Sequence, residues 1–128
     1  MRVLLDTDTV SAALRQQLDV HIRGARVHLS AVTVGELYYG FEKSGRHQHL
    51  RRRFESVVLP WAAVIPFGLP SALVYAHLRA ELERGGHPLA DADLRIASTA
   101  LAHDLTLITG NKKHFARIPG LRVENWLR

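Results

Sequence analysis

Two aspartates one residue apart close the apolar opening of this 128-residue chain, in VLLDTDTVS at residues 3–11, and Glu36, Asp91, Asp93 and Asn111 follow as further groups able to do chemistry. A carboxylate at the end of a core strand is costly unless something offsets it. Two carboxylates about 4 Å apart repel by roughly 4 kcal/mol at an effective dielectric near 20. Gathering three or four of them either raises their pKa values or demands a cation. A hard divalent ion, Mg²⁺ or Mn²⁺, held by a few carboxylates and several waters, meets that demand. Zinc is disfavoured: the chain has no cysteine, and its histidines form no H-x-x-x-H pair. His47 and His49 make an H-x-H within a basic segment and are read as solvated.

Each acid also has a purely structural reading. Asp8 could cap a helix beginning at Thr9, because aspartate is a preferred N-cap. Asp91 or Asp93 could cap the next acidic helix or complement its dipole, and Asp91 could pair with Arg95 four residues on. Glu36 ends TVGE, which fits a capping box with Thr33 at the cap. The apolar stripe Val34, Leu37, Tyr38 and Phe41 leaves Glu36 roughly 150° away around that helix, free for water or a cleft. Asp6 stands apart, since it lies too early to cap a helix that starts at Thr9.

The elements that must position these groups follow from periodicity. Val3–Leu5 is a short apolar strand, followed by a helix from about Thr9 to Leu18; Val27–Leu29 is a second strand. A helical stripe begins at Ala31, and the basic segment SGRHQHLRRRFESV carries apolar points at Leu50, Phe54 and Val57. A strand around Val64–Ile65 precedes a helix opened by Pro70, with Val74, Leu78 and Leu82 at i+4 and Gly85–Gly86 as the stop. A helix from about Ala92 to His103 leads to the strand TLIT at 106–109, a loop or short helix in GNKKHF, and an edge strand in RVENW. Short apolar strands alternating with helices predict an α/β fold whose mostly parallel sheet is covered on both faces. Sites in such sheets form at the carboxyl ends of strands near a topological switch point, where these acids would converge.

Composition sets the outer bounds. The length is that of one domain, residues 1–128, and no repeat or linker divides it. Absence of cysteine suits a reducing cytoplasm, and the strand-like start leaves no room for a signal peptide. Residues 57–76 carry no charge for about a bilayer's width, but Pro60, Pro66 and Pro70 would interrupt a spanning helix. A formal net charge of +5 biases the surface toward polyanions.

Taken together, LLDTDTVS, SAVTVGELYYGFEKS, PLADADLRIASTALAHDLTLITGNKKHF and IPGLRVENW resemble a PIN-domain ribonuclease, more narrowly the VapC toxins of bacterial toxin–antitoxin pairs. The likeness spans nearly the whole chain in order and spacing. It implies a three-layer α/β/α fold and Mg²⁺- or Mn²⁺-dependent endoribonuclease activity. Residue by residue, it assigns the strand-closing acid to Asp6, the glutamate of E-L-x-x-G to Glu36, and the acid opening D-L-x-I-A to Asp93, with Asp91 an outer neighbour. The fourth position falls on Asn111, a neutral amide in place of an acid, as in part of the family, which bears on a second ion. Asp6 and Asp93 would hold the metal, Glu36 would bind it or orient its water, and Asp8 and Thr109 would shape the surroundings. In-line hydrolysis would leave a 5′-phosphate and a 3′-hydroxyl.

An acidic pocket repels RNA unless a basic rim surrounds it. Lys112, Lys113 and Arg117 lie just beyond Asn111 and could supply that rim; Arg46, Arg51, Arg52 and Arg53 could extend it, or form a solvated helix face. Tyr38, Tyr39 or Phe115 could stack on an unpaired base, with a core role favoured for Phe115. The resemblance further implies a homodimer and a cognate VapB-like antitoxin that occludes the acidic cleft, with Trp61 and Trp126 as candidates for a dimer face. Two rivals remain: a catalytically degenerate PIN fold that only binds a partner, and a haloacid-dehalogenase-like phosphatase suggested by VLLDTDTV. The second needs a later acid pair where this chain reads TGNKKHF.

Overall fold

The computed structural model describes residues 1–16 and 24–126. Five parallel strands, β1 (Arg2–Leu5), β2 (Arg26–Ser30), β3 (Ala63–Ile65), β4 (Thr106–Ile108) and β5 (Val123–Glu124), form one sheet in the order β3-β2-β1-β4-β5. Helices α1 (Thr7–Gln16), α2 (Ala31–Lys43) and α3 (Gln48–Arg53) contribute to the core on one face. Helices α4 (Leu69–Arg84), α5 (Asp91–Ala102) and α6 (Lys112–Phe115) contribute to the other. This is the three-layer arrangement expected from the sequence.

Period-two alternation explains why both faces are dry. Val3 and Leu5 of β1 join Val10, Leu14, Leu29, Phe41 and Phe54 in one core. Leu4, between them, joins Leu107, Leu78, Leu94, Ile96 and Phe115 in the other. A strand covered on both sides reads as a continuous apolar run, as β1 does. The chain leaves the β2–β3 side and crosses to β4, which pairs with β1 through Leu5↔Ile108. The switch point therefore lies just beyond Leu5 and Ile108.

Several local expectations are corrected. Helix α1 starts at Thr7, not Thr9. Asp6 is therefore its cap: Asp6 Oδ1 accepts the Thr7 N–H at 2.7 Å, and the Asp6 carbonyl accepts the first helical bond from Val10. Asp8 lies inside the first turn instead of capping. The predicted end of this helix at Leu18 lies outside the described residues. Helix α2 is capped by Ser30, whose hydroxyl accepts from Val32 N–H, so Thr33 and Glu36 form no capping box. Helix α5 has Ala90 at its cap with no side-chain bond, so neither Asp91 nor Asp93 caps it. After α3 the chain widens into a π-helical turn at Phe54–Val58, which turns Val58 into the core in place of Val57.

The glycine stop of α4 is observed in detail. Gly86 adopts φ +75°, Gly86 N–H bonds to Glu83 and His87 N–H to Leu82, the paired bonds that close a helix through a left-handed residue. The uncharged stretch 57–76 breaks into turns, β3 and the start of α4. Among the described residues no helix is long and apolar enough to cross a membrane.

Candidate active site

Asp6 is 4% exposed, immediately after the central strand, and its position is fixed from three sides. Its backbone N–H donates to Ile108 carbonyl at 2.9 Å, extending the β1–β4 ladder by one bond. Its Oδ1 caps α1, and its Oδ2 accepts the Thr109 hydroxyl at 2.8 Å. Thr109 directly follows β4 and is itself oriented by accepting the Asn111 N–H at 3.0 Å. Each carboxylate oxygen thus has one bond and keeps lone-pair capacity for another.

The charge on this carboxylate is unfavourable where it stands. Burial, reinforced by the negative charges of Asp8 and Asp93, raises its pKa from 3.8 to about 6, against the opposing hydrogen bonds from Thr109 and Thr7. Asp8 and Asp93 are thus near enough for their charges to bear on Asp6.

Glu36 reaches the same neighbourhood through Thr7. The Thr7 hydroxyl donates to Glu36 Oε1 at 2.7 Å and lies 3.1 Å from the Thr33 hydroxyl, while its N–H holds Asp6. Thr7 thus touches both acids, a link that patterning along the chain could not reveal. Glu36 also lines a cleft between α1, α2 and α3, together with Thr7, Leu14, Phe41, His47 and Leu50. His47 is half-buried there, its Nδ1 3.4 Å from Gly40 carbonyl; His49 is exposed.

Asp93, in the first turn of α5, is half-buried and its Oδ2 lies 3.2 Å from His114 Nε2. The sequence reading did not single out His114; its separation of 21 positions from Asp93 carries no local signal. Asp91 faces elsewhere. It accepts from Tyr75 hydroxyl and from Arg95 Nε at 2.7 Å, and these two bonds hold its carboxyl below the usual range. The Arg95 guanidinium lies 5.1 Å from the Phe67 ring and 5.6 Å from Tyr75, completing a surface cluster around Asp91. Asn111 is exposed and its side chain makes no capping bond to α6.

The basic residues divide. Lys112 and Lys113 open α6, exposed and directly beyond Asn111; Arg117 is exposed with a long 3.5 Å bond to Pro88 carbonyl. Arg51 pairs with Glu42 and Glu55 and stacks over Tyr38, so its charge is largely committed within the fold. Arg52 and Arg46 are exposed and Arg53 half-buried. Phe115 is core, 1% exposed. Tyr38 packs edge-on to Phe41 and Phe54 and donates to Glu55, whereas Tyr39 is exposed.

Among the described residues no three Asp, Glu or His side chains stand close enough to enclose an ion by themselves. The donor set nevertheless fits one kind of cation. Mg²⁺ dehydrates reluctantly and is commonly held by one or two carboxylates while the rest of its octahedron is water. Asp6, disfavoured as a bare anion beside Asp8 and Asp93, is a group whose charge such an ion would offset.

Comparison with known proteins places this five-stranded parallel sheet in a family. Residues 2–121 match the PIN domain model, and the chain belongs to the PIN-domain family. Within that family its relatives include several VapC ribonucleases. Ribonuclease VapC2 of Rickettsia felis is 32% identical, and the tRNA(fMet)-specific endonuclease VapC of Salmonella typhimurium is also 32% identical, with 98% of both chains covered in each case. The crystal structure of VapBC2 from Rickettsia felis, bound to a DNA fragment from their promoter, superposes with a TM-score of 0.87 at 31% identity. That match covers 99% of this chain and 100% of the other. The phosphatase alternative falls with this match.

Proposed function

We propose that this chain is a metal-dependent endoribonuclease and the toxin of a toxin–antitoxin pair, with Asp6, Glu36 and Asp93 as its central acids. The observation that carries the reading is the buried Asp6 carboxylate, held by Thr109 and Thr7 beside Asp8 and Asp93. Burying a carboxylate among like charges makes sense where a cation is to be bound. Full-length similarity to VapC ribonucleases supplies the reaction class.

When bound, Mg²⁺ or Mn²⁺ supplies phosphoryl polarisation and a water acidic enough to attack near neutral pH. Asp6 and Asp93 are the residues to hold it, partly through waters. Glu36, steadied by Thr7, orients the attacking water and accepts its proton. Thr109 keeps Asp6 aimed, and Asn111 orders Thr109 through its backbone. Lys112, Lys113 and Arg117 hold flanking phosphates, with Arg52 further out. The test is cleavage of RNA by the purified protein: activity with Mg²⁺, none in excess EDTA, and recovery on adding Mn²⁺. Undiminished cleavage in EDTA would overturn the reading, and absence of cleavage with either ion would favour a binding-only PIN fold.

Replacing Lys112 and Lys113 by alanine is expected to weaken RNA binding and flatten its salt dependence. Two lost phosphate contacts at about 0.7 each lower the slope of log K against log salt by roughly 1.4. Filter binding of a non-cleavable RNA across a salt series checks this; an unchanged slope removes both lysines from the interface.

Two partner assignments belong to the same reading. VapBC complexes among the structural relatives support a VapB-like antitoxin, and a partner filling the cleft between α1, α2 and α3 would cover Glu36. Trp61, Val64, Leu69 and Leu73 are exposed apolar side chains around the β3 edge and the start of α4, which supports a homodimer face there. Trp126 drops out of that face: it is half-buried, packs on the α1–α3 core and bonds to Glu124. We read the cytoplasm as the site of action, where RNA is found and a chain without cysteine suits the redox state.

A further inference from the structure

One short segment touches both metal-site acids. Thr109 donates to Asp6, Asn111 N–H is bonded to Thr109, and His114 N–H is bonded to Asn111 carbonyl. From that turn the His114 ring reaches Asp93 Oδ2 at 3.2 Å. A carboxylate can only accept, so Nε2 carries the hydrogen and donates. The ring is anchored from behind: it packs edge-on to Phe115 at 5.4 Å and 85°, and Phe115 is core. Helix α6 is itself pinned, since Ala116 N–H bonds to Lys112 carbonyl and Thr109 N–H bonds to Glu124 in β5.

Without such a hold, Asp93 would turn toward water and away from the charge of Asp6. Both partners of the His114–Asp93 contact are about one-third exposed, at 30% and 34%, sheltered enough for a hydrogen bond to fix a rotamer. Outer partners that orient a metal-binding carboxylate are a general requirement of such sites. We propose that His114 is a positioning residue for Asp93: its Nε2–H holds Oδ2 and sets the orientation in which Asp93 meets a divalent ion alongside Asp6. This rests on the nuclease reading and adds to it a specific residue.

The test uses His114→Phe, which keeps a ring on Phe115 but has no donor, and His114→Gln, which keeps an N–H donor. Binding of Mn²⁺ alone is measured by electron paramagnetic resonance, and kcat and KM are measured on RNA. His114→Phe is expected to weaken Mn²⁺ binding by roughly 10- to 100-fold and to lower kcat with KM little changed. His114→Gln should recover most of both losses. In an Asp93→Asn background, His114→Phe should add nothing. Unaltered Mn²⁺ affinity in His114→Phe, equal damage in His114→Gln, or an additive effect in the Asp93→Asn background would each overturn the proposal while the nuclease reading stands. A wild-type protein that bound no Mn²⁺ would end both.

Discussion

Asp6→Asn is expected to abolish RNA cleavage and, in the same preparation, to stabilise the metal-free protein. The catalytic loss should be on the order of 10²- to 10³-fold or more, as when one element of a preorganised electrostatic site is removed. The stability gain follows from the raised pKa. Asp6 titrates near 3.8 unfolded and near 6 folded, so the folded state binds more protons between those values. Its contribution is fully favourable below pH 4 and is lost as pH rises through 6. Above that, the buried charge costs up to about 3 kcal/mol, at roughly 1.4 kcal/mol per unit. Asparagine avoids this cost while keeping the local bonds: its Oδ1 still accepts from Thr7, and its amide can donate to the second lone pair of Thr109. Melting in EDTA should show the variant several degrees more stable at pH 7.5, with the gap closing toward pH 4. An equal gap at both pH values would show that the Asp6 charge is not its source. Adding Mg²⁺ at pH 7.5 should raise the wild-type melting temperature and leave the variant unmoved.

Asp93→Asn and Asp91→Asn, two residues apart on one helical turn, are expected to behave oppositely. Asp93 adjoins Asp6 electrostatically and is held by His114, so its loss should lower kcat by about 10²-fold or more. The protein should stay folded, because the side chain is not part of either core. Asp91 is bonded instead to Tyr75 and Arg95 on an exposed surface. Its loss should change stability little, as for other exposed ion pairs, and leave cleavage near wild type. Side-by-side kinetics and melting curves decide the matter. Equal loss of cleavage in both variants would bring Asp91 into the site, and activity retained in Asp93→Asn would remove the metal-holding role given to that residue.

The contrast between these two acids also marks what patterning could and could not reveal. The Asp91–Arg95 pair was legible because a spacing of four brings side chains together on any helix. Its Tyr75 partner was not, since α4 had first to pack on α5. The parallel sheet was legible from fully apolar β1 and the alternation of strands with helices, and the stop of α4 from Gly85–Gly86. The start of α1 was misread because Asp6 does two jobs at once, ending a strand and capping a helix, with no residue between them. Ser30 was overlooked as the cap of α2 because it lies in a buried strand end, where the hydroxyl looks like core polarity. Thr7 and His114 were invisible for one reason: each is bonded to an acid across 21 or more positions, and only tertiary packing creates the contact.

The bond from Thr109 to Asp6 spans 103 positions, nearly the length of the chain. A ribosome building this protein therefore exposes Asp6 early, but the Thr109 bond that completes its placement can form only after β4 has emerged and paired. On the nuclease reading, the nascent polypeptide stays unarmed by topology until the molecule is finished. That delay leaves the whole period of synthesis for a neutralising partner to arrive first.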